Sequence, residues 1–511
     1  MANALPLEAE VGVIGAGAMG AGIAQLAAQA GHRVHLFDTR MGATDQATAK
    51  IGEMLLALAT KGKLARAAAD AAIARIVPVH ALGDLVSAKL VIEAVAEDLE
   101  VKRKLLRELE VVVAPEAILA SNTSSLSITA LAAGLKYPGR VIGMHFFNPA
   151  PVLPLVEVVS GLATHSETAT VVYETAKAWG KVPVHAASTP GFIVNRCARP
   201  FYAEALRLLN ECAADPATVD AVMREAGAFR MGPFELMDMI GHDVNLAVTR
   251  SVWEAYFHDS RFTPSVLQQE LVAAGFLGRK SGRGIYIHDA NAPKPAPQTE
   301  SLQARPARIR VAGDSAMTKG LADRLMASGF AVEKMASDAA IAPSYLVVGD
   351  AFVVPCDGRT ATAIAVGGGQ PNVVVFDLAY DYRTCTRIAI ARADTCSDEA
   401  AAAAIGALQA AGIAVSRIDD VAGLVVMRTV AMLANEAADA VTQGIANARD
   451  VDVAMRNGVN YPCGPLAWAD VIGLGHVCAV LRNLAAHYGE DRYRISPLLA
   501  RRCATHAPLG E

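Results

Sequence analysis

Short apolar runs alternate with stretches of helical composition over the N-terminal part of the chain. Residues 11–14, 33–37 and 90–96 have the length and composition of buried strands, and residues 21–28 have the composition of a helix. Residues 140–144 form a further buried run of the same kind. This alternation predicts an α/β domain built around a mostly parallel sheet.

The chain is longer than one hydrophobic core usually supports. It has 511 residues, of which 53% are hydrophobic and 19% are charged, so we expect about two to four domains. Alanine supplies much of the hydrophobic fraction, which suits a helix-rich α/β protein. The net charge of -5 provides no basic stripe for nucleic acid.

The sequence has no visible membrane or export segment. No apolar run reaches membrane-spanning length, and residues 1–10 lack a cationic region followed by an apolar core. The eight cysteines form no Cys-x-x-Cys pair and do not cluster with histidines at metal-ligand spacing. We therefore expect a cytoplasmic protein without nucleic-acid or membrane partners, with reduced structural cysteines and without a metal site.

A glycine-rich turn joins the first predicted strand to the first predicted helix. Gly15 permits the turn, Gly17 removes a side chain where a pyrophosphate would approach, and Gly20 lets helix and strand pack closely. The second strand ends at Asp38, whose carboxylate can accept both ribose hydroxyls of NAD and would repel a 2'-phosphate. Arg40 partly offsets that repulsion, so NAD is preferred while use of NADP stays open.

The candidate chemistry lies downstream of this turn. The run of residues 140–144 delivers His145 to a strand end, and a second extended run carries Glu157. Asn148-Pro149 turns the chain back between them, so the two side chains can meet. The imidazole would then take a proton from a substrate hydroxyl while the carboxylate orients it.

Two further polar side chains complete the candidate site. Ser124 and Asn195 would hydrogen-bond the substrate oxygen as negative charge develops on it. Taken singly, His145 suits a structural role at a strand end, Ser124 a turn and Asn195 a helix start. Because all of them follow a cofactor motif and fit one pocket, the catalytic interpretation is favoured.

Several motifs in a fixed order closely resemble the L-3-hydroxyacyl-CoA dehydrogenase family, over about residues 8 to 288. The motifs are Gly15-x-Gly17-x-x-Gly20, Ser121-Asn-Thr-Ser-Ser-Leu126, His145-Phe-Phe-Asn-Pro149, Leu155-Val-Glu157, Thr189-Pro-Gly-Phe-Ile-Val-Asn-Arg196 and Met231-Gly-Pro-Phe-Glu-Leu236. The resemblance implies a coenzyme A thioester substrate. It also implies that the catalytic residues are Ser124, His145, Glu157 and Asn195. The NAD contacts expected from the glycine motif and from the resemblance are Gly15, Gly17, Ala18, Met19, Gly20, Asp38, Glu97, Lys102 and Asn122.

An alanine-rich segment of helical character, residues 43–72, follows Asp38 and carries three lysines. Lys50, Lys61 and Lys63 are suitable partners for the phosphates of coenzyme A. Exposed helix lysines are more often simply solvated, and that alternative stays open. The same holds for Glu97 and Lys102, whose spacing also fits a solvated helix face.

The second half of the chain resembles a degenerate copy of the first. Residues 311–317, running on to 331–332, match residues 13–19, running on to 33–34, without a gap. Ser315 and Thr318 replace two of the glycines, and Ala336 falls at the position of Asp38. This copy is therefore expected not to hold a dinucleotide.

From about residue 373 a second gap-free register aligns the two halves. Gly423 falls on Gly191 and Arg428 on Arg196, while His145, Glu157 and Asn195 are replaced by Asp377, Ala389 and Met427. We expect the copy to be a scaffold whose helical domain packs on the first helical domain and imitates a dimer interface. A homo-oligomer stays open, and the alternative is that residues 420–511 form an independent partner-binding module.

The expected fold is α/β plus all-α. A Rossmann-like NAD domain should span residues 1–188 and a helical domain residues 189–290. A proline-rich linker at 291–302, a degenerate Rossmann-like remnant at 303–417 and a second helical domain at 418–511 should follow.

The acyl group is less sharply indicated than the reaction. Residues 199–206 and 277–284 look most like the long bacterial family members that act on 3-hydroxyadipyl-CoA in phenylacetate breakdown, and 3-hydroxybutyryl-CoA is the close rival. A dicarboxylic tail would need a cation, for which Arg199, Arg230 and Lys280 are candidates. Oxidation of a free hydroxy acid and a non-catalytic, nucleotide-sensing role are the remaining alternatives.

Overall fold

The computed structural model describes residues 4–289, 292–293, 295–338 and 340–510. Asn291 and Lys294 of the expected linker lie outside these described residues. The chain forms two compact units. The first contains the described residues up to Arg196 together with Gln443–Val459, and the second contains Cys197–Thr442 and the residues from Asn460 onward.

The first unit is built on an eight-stranded sheet of order β3-β2-β1-β4-β5-β6-β7-β8. Its strands are β1 Glu10–Ile14, β2 Val34–Phe37, β3 Ile76–Val79, β4 Ala88–Glu93, β5 Ile118–Ser121, β6 Val141–Phe146, β7 Leu155–Ser160 and β8 Val182–Ala187. All neighbours are parallel except β6 and β7. The strands are nearly continuous apolar runs because helices cover the sheet.

The helices of this part of the chain are α1 Ala18–Ala30, α2 Ala43–Thr60, α3 Arg66–Arg75, α4 Leu99–Val112, α5 Ile128–Ala132, α6 Ser166–Ala178 and α7 Val194–Cys197. α1 ends where Gly31 adopts a left-handed conformation, and α4 begins where the Asp98 carboxylate accepts the N–H of Val101 at 2.9 Å. Such local signals set the helix ends.

The second unit contains two sets of helices and a seven-stranded sheet of order β10-β9-β11-β12-β13-β14-β15. The first set is α8 Arg199–Asn210, α9 Pro216–Glu225, α10 Pro233–Ile240, α11 His242–Ala255 and α12 Val266–Ala273. The strands are β9 Ile309–Ala312, β10 Val332–Met335, β11 Tyr345–Val348, β12 Ala351–Pro355, β13 Val373–Phe376, β14 Arg387–Arg392 and β15 Ala414–Arg417.

The remaining helices complete the chain. They are α13 Ala316–Ala327, α14 Ala361–Gly368, α15 Asp398–Ala410, α16 Val426–Thr442, α17 Ala448–Gly458, α18 Pro465–Ile472, α19 Leu474–Tyr488 and α20 Pro497–Thr505. α17 belongs to the first unit. α10 and α18 have equal lengths and lie 232 positions apart, from Pro233 to Pro465, so the two sets of helices are repeats of one arrangement.

The second sheet repeats the first in reduced form. β13 and β14 are antiparallel, as β6 and β7 are, and β14 and β15 are parallel, as β7 and β8 are. Arg387 pairs with Ala414 just as Leu155 pairs with Val182, again 232 positions earlier. β11, however, runs antiparallel to β9, whereas β4 runs parallel to β1.

Within the second unit, α8 packs against α16. The Arg428 guanidinium, on α16, donates to Glu204 at 2.7 Å and to Glu211 at 2.8 Å. Tyr493 donates to Glu204 at 3.1 Å, and Arg261 donates to Glu436 at 3.2 Å. Glu436 lies 232 positions after Glu204, and Tyr493 lies 232 positions after Arg261. The two bonds therefore join equivalent positions of the two repeats in opposite order.

No single helix in the described ranges is both long and apolar enough to cross a membrane. α18 and α19 pass that test only as a pair, and they are bent by 99° at the break between them.

Candidate functional site

The turn between β1 and α1 requires glycine at two positions. Gly15 has a φ of +99°, and a Cβ there would lie 2.6 Å from the carbonyl oxygen of Ala94. A Cβ on Gly20 would clash with the carbonyl oxygen of Gly15. At Gly17, which N-caps α1, a Cβ would meet no atom within 4 Å. The space beside Gly17 at the start of α1 is therefore open, as an anion site at a helix N-terminus needs.

A cavity of about 540 Å³ lies beside this turn. Its lining residues include Gly15, Gly17, Phe37, Asp38, Arg40 and Val95. The Asp38 carboxylate accepts the N–H of Ala16 at 2.7 Å and pairs with Arg40 at 3.1 Å. Burial raises the pKa of Asp38, but hydrogen bonds from Arg40 and Ala16 lower it to about 2. The cavity thus holds a fixed carboxylate opposite an open helix start, which suits the ribose and pyrophosphate of a dinucleotide.

Lys102 and Glu97 contact each other next to the loop that carries the candidate serine. Lys102 is 1% exposed, and its Nζ contacts Glu93 at 2.8 Å and Glu97 at 3.3 Å. The solvated-face interpretation of Lys102 is therefore wrong. Burial raises the pKa of Glu97, but the hydrogen bond from Thr123 and the charge of Lys102 bring it below its ordinary value.

Glu97 organises the loop after β5. Its Oε1 accepts the Thr123 hydroxyl at 2.6 Å and the N–H groups of Ser124 and Ser125 at 2.9 and 3.1 Å. The Asn122 side chain accepts the N–H of Phe146 at 2.9 Å. This bond ties the loop to the end of β6.

The register of β6 and β7 brings the candidate base to its carboxylate. His145 lies directly opposite Glu157 in this antiparallel pair, where side chains on one face touch. His145 Nδ1 and Glu157 Oε2 are 2.6 Å apart, and the two residues are 5% and 0% exposed. Because a carboxylate only accepts, Nδ1 carries the hydrogen and Nε2 is left as the base.

Backbone amides hold Glu157 in place. Its Oε1 accepts the N–H groups of Ile193 and Val194 at 3.0 and 2.9 Å, at the start of α7. The imidazole is also flanked by the rings of Phe147 and Phe192, at 4.5 and 5.8 Å between centroids. Sequence reasoning missed the two amides, although Gly191 before the helix start pointed to a fixed turn there.

Ser124 and Asn195 lie in contact with each other. The Asn195 amide donates to the carbonyl oxygen of Ser124 at 3.4 Å, and the Ser124 hydroxyl donates to Glu97 at 3.4 Å. The first unit therefore contains all four predicted catalytic residues. A chain of bonds runs from His145 through Glu157 to the amides that precede Asn195.

The other predicted residues lie elsewhere. Lys50 on α2, and Lys61 and Lys63 after it, are exposed. In the second unit, Arg199 is buried and donates to Thr249 at 2.9 Å, while Lys280 pairs with Asp243 at 2.6 Å. Arg230 is exposed.

The second copy has lost the cofactor turn. Ser315, which falls on Gly17, places a side chain at the start of α13, and its N–H donates to Ser344 at 3.2 Å. Ser315 also caps α13 through the N–H of Thr318. Protein atoms thus fill the place that stays open beside Gly17.

The second copy keeps one part of the catalytic arrangement. Asp377, at the position of His145, accepts the N–H groups of Val425, Val426 and Met427 at 3.0, 2.8 and 2.9 Å. Burial raises its pKa to about 6, against these hydrogen bonds. The Asp377 carboxylate therefore still binds the amides at the start of α16. The histidine that would act as a base is replaced at this position by Asp377 itself.

Among the described residues no group of three or more potential metal ligands occurs. A Rossmann sheet, an open glycine turn and a buried histidine-glutamate pair define an NAD-dependent dehydrogenase.

Comparison with known proteins identifies the family. Residues 10–189 match the NAD-binding domain of 3-hydroxyacyl-CoA dehydrogenase, and residues 191–288 and 423–508 both match its C-terminal domain. Residues 353–421 match the reduced Rossmann-fold domain of 3-hydroxybutyryl-CoA dehydrogenase. The chain belongs to the 3-hydroxyacyl-CoA dehydrogenase family, NAD-dependent oxidoreductases that act on a CH–OH group. The fold class, family and cofactor expected from the sequence are confirmed.

Relatives of full and half length are similar to this chain. The 3-hydroxyadipyl-CoA dehydrogenase of Escherichia coli (strain K12) is 44% identical over 492 residues, which are 96% of this chain and 97% of that protein. A crystal structure of 3-hydroxybutyryl-CoA dehydrogenase from Escherichia coli K12 has a TM-score of 0.89 at 42% identity and covers 98% of both chains. The (S)-3-hydroxybutyryl-CoA dehydrogenase of Ralstonia eutropha has a TM-score of 0.54 at 42% identity. It covers 55% of this chain and 99% of its own.

Proposed function

We propose that this chain oxidises (S)-3-hydroxyadipyl-CoA to the 3-oxoacyl-CoA with NAD, in a reversible reaction of phenylacetate breakdown. The observation that carries the chemistry is the buried contact of 2.6 Å between His145 and Glu157. The full-length relative named for 3-hydroxyadipyl-CoA supports the acyl group.

The residues of this chain divide the work as follows. His145 Nε2 takes the proton of the 3-hydroxyl group, and Glu157 stabilises the imidazolium that results. The Ile193 and Val194 amides keep the carboxylate from turning away from the ring. Ser124 and Asn195 donate hydrogen bonds to the substrate oxygen. Bound NAD supplies the hydride acceptor.

We assign NAD binding to the glycine turn and to the cavity next to it. The residues are Gly15, Gly17, Ala18, Met19, Gly20, Asp38, Glu97, Lys102 and Asn122. The open space at Gly17 and the lowered pKa of Asp38 support the assignment of pyrophosphate and ribose to those two positions.

Coenzyme A would be held in part by Lys50, Lys61 and Lys63. Their exposure leaves the three ammonium groups accessible to phosphates. A cation for the distal carboxylate of an adipyl chain would come from Arg199, Arg230 or Lys280. Arg199 is buried and bonded to Thr249, and Lys280 is paired with Asp243, so we place the exposed Arg230 first.

The rival substrate is 3-hydroxybutyryl-CoA. It is suggested by the solved structure with a TM-score of 0.89, which is named a 3-hydroxybutyryl-CoA dehydrogenase. The experiment follows NADH absorbance with 3-hydroxyadipyl-CoA, 3-hydroxybutyryl-CoA and the two free hydroxy acids. We expect kcat/KM to be highest for the adipyl thioester and turnover of the free acids to be negligible. A strong preference for the butyryl thioester would remove the adipyl assignment, and efficient oxidation of a free acid would remove the thioester.

We further propose that the chain has five parts, at residues 1–188, 189–290, 291–302, 303–417 and 418–511. In this division the second helical repeat takes the place of a dimer partner. The mirrored bonds Tyr493 to Glu204 and Arg261 to Glu436 support this proposal, because a two-fold interface repeats each contact. This pairing is compatible with a homo-oligomer of the whole chain. It argues against residues 420–511 as a separate partner-binding module. A cytoplasmic location fits the reduced, structural role expected of the eight cysteines.

A further inference from the structure

The segment Gln443–Val459, which comes from the second helical repeat, packs on the catalytic sheet of the first unit. α17 contacts β7 and β8. β8 is the last strand of its sheet, and an edge strand leaves backbone N–H groups unpaired. Here the N–H of Ala187 donates to the carbonyl oxygen of Ile445 at 2.7 Å, and that of His185 donates to the Asp450 carboxylate at 3.2 Å. The segment therefore closes the sheet edge.

The second sheet is closed in the same way by the first repeat. The N–H of Asp419 donates to the carbonyl oxygen of Ala213 at 2.9 Å, and α9 contacts β14. Asp419 lies 232 positions after Ala187, and Ile445 lies 232 positions after Ala213. The two bonds are therefore the same contact with the roles of the two repeats exchanged. Each sheet thus uses a helix of the other repeat, so the degenerate copy contributes a part that the catalytic sheet lacks.

The end of α17 reaches the residues that hold the catalytic carboxylate. A Cβ on Gly458 would lie 2.6 Å from Leu155 Cδ2 and 3.1 Å from Val194 Cγ2. Leu155 is fully buried at the start of β7, two residues before Glu157. Val194 donates its N–H to Glu157 at 2.9 Å. Gly458 thus packs on one of the two residues whose amides hold Glu157, and on the strand that carries Glu157.

The anchoring of the segment fixes this contact. Asn447 caps α17 by accepting the N–H of Asp450 at 2.8 Å, and Arg196 donates to Gln443 at 2.8 Å. Val451, Ala454 and Met455 are buried along the same helix. α17 is therefore held at its N-terminal end and along one face, so a side chain added at Gly458 must displace the side chain of Leu155 or Val194.

We infer that α17 is a positioning element for the dehydrogenase reaction. Gly458 sets the place of Val194 and β7, and through them the orientation of Glu157 toward His145. The inference rests on the proposed catalytic role of the His145–Glu157 pair. It assigns a function to the degenerate repeat, which supplies a helix that packs behind the catalytic carboxylate.

The test compares variants of the full-length protein at saturating NAD and thioester. Gly458→Val should lower kcat about tenfold or more, because a misplacement of the reacting groups by about 1 Å can cost about a hundredfold in rate. Gly458→Ala should have a smaller effect of about two- to threefold. KM for both substrates and the NAD dissociation constant should stay within about twofold of wild type. Arg456→Val places the same side chain on the exposed face of α17 and should leave kcat unchanged.

A second-site variant distinguishes positioning from damage to the fold. Leu155→Ala removes the side-chain atom nearest to the new side chain, so Gly458→Val should cost much less kcat in that background than alone. A wild-type kcat for Gly458→Val overturns the inference. So does a loss of kcat that Leu155→Ala fails to relieve or that comes with weaker NAD binding. If the wild-type protein itself fails to oxidise any hydroxyacyl-CoA, the proposed function falls instead.

Discussion

Arg428 is the side chain whose removal most directly probes the contact between the helical repeats. It is 0% exposed and contacts Glu204 at 2.7 Å, Glu211 at 2.8 Å and the hydroxyls of Tyr488 and Tyr493, each at 2.9 Å. Burial works against its charge, yet the carboxylates keep the pKa of Arg428 above its ordinary value. Arg428→Met preserves most of the length and removes the charge.

The cost follows from what the substitution leaves behind. Removing one partner of a buried ion pair destabilises by about 3–5 kcal/mol, because the other charge stays buried. Glu204 keeps a contact of 2.6 Å with Arg207, and Glu211 is 25% exposed and can be hydrated. These two features place the expected loss near the lower end, at about 3 kcal/mol, or roughly a hundredfold in the unfolding equilibrium.

Urea unfolding followed by tryptophan fluorescence measures this loss. In a Trp179→Phe background the two remaining tryptophans, Trp253 and Trp468, both report on the second unit. Glu204→Gln added to Arg428→Met should restore part of the stability, since it removes the buried charge. Arg501→Met, at an exposed site on α20 of the second unit, should change the free energy of unfolding by less than about 0.5 kcal/mol. A loss below about 1 kcal/mol for Arg428→Met, or no relief in the double variant, would refute the reasoning.

Three further outcomes follow from the structure. Asp38→Ala should raise KM for NAD about tenfold or more, since it removes charged hydrogen bonds to the ribose, and steady-state kinetics with NAD and NADP would show a reduced preference for NAD. Burial raises the pKa of Asp220 to about 7 from 3.8, so the folded state holds this proton more tightly than the unfolded state. The resulting stabilisation is complete below about pH 4 and is lost as the pH rises through about 7. Asp220→Asn should therefore flatten the fall of the melting temperature between about pH 4 and pH 7, and an unaltered slope would exclude this group as its source. Replacing Lys50, Lys61 and Lys63 together by Ala should raise KM for the thioester several-fold at low salt and much less at high salt, while KM for NAD stays constant.

The sequence was sufficient to predict the parts of the site that depend on local pattern. The glycine spacing marks a turn that only glycine can form at Gly15 and Gly20, and the positions of the two apolar runs around Asn148-Pro149 bring His145 opposite Glu157. The offset of 232 positions is also visible in the sequence because no insertion interrupts the second half of the copy.

Contacts between segments distant in sequence were beyond such patterns. The amides of Ile193 and Val194 carry no side-chain signal, so their bonds to Glu157 appear only once β7 and α7 are placed together. The position of α17 against β8 depends on a bond between Ala187 and Ile445, which composition and periodicity leave undetermined. Burial of Lys102 is similarly set by Glu93, on a different element.

The central claim is that His145 is the base of the reaction, and kcat of the His145→Gln variant tests it most directly. Gln keeps a polar side chain opposite Glu157 but cannot take up the hydroxyl proton. We expect kcat for 3-hydroxyacyl-CoA oxidation to fall by about a hundred- to ten-thousandfold, with NAD binding unchanged. A variant that retains near-wild-type turnover would contradict the account.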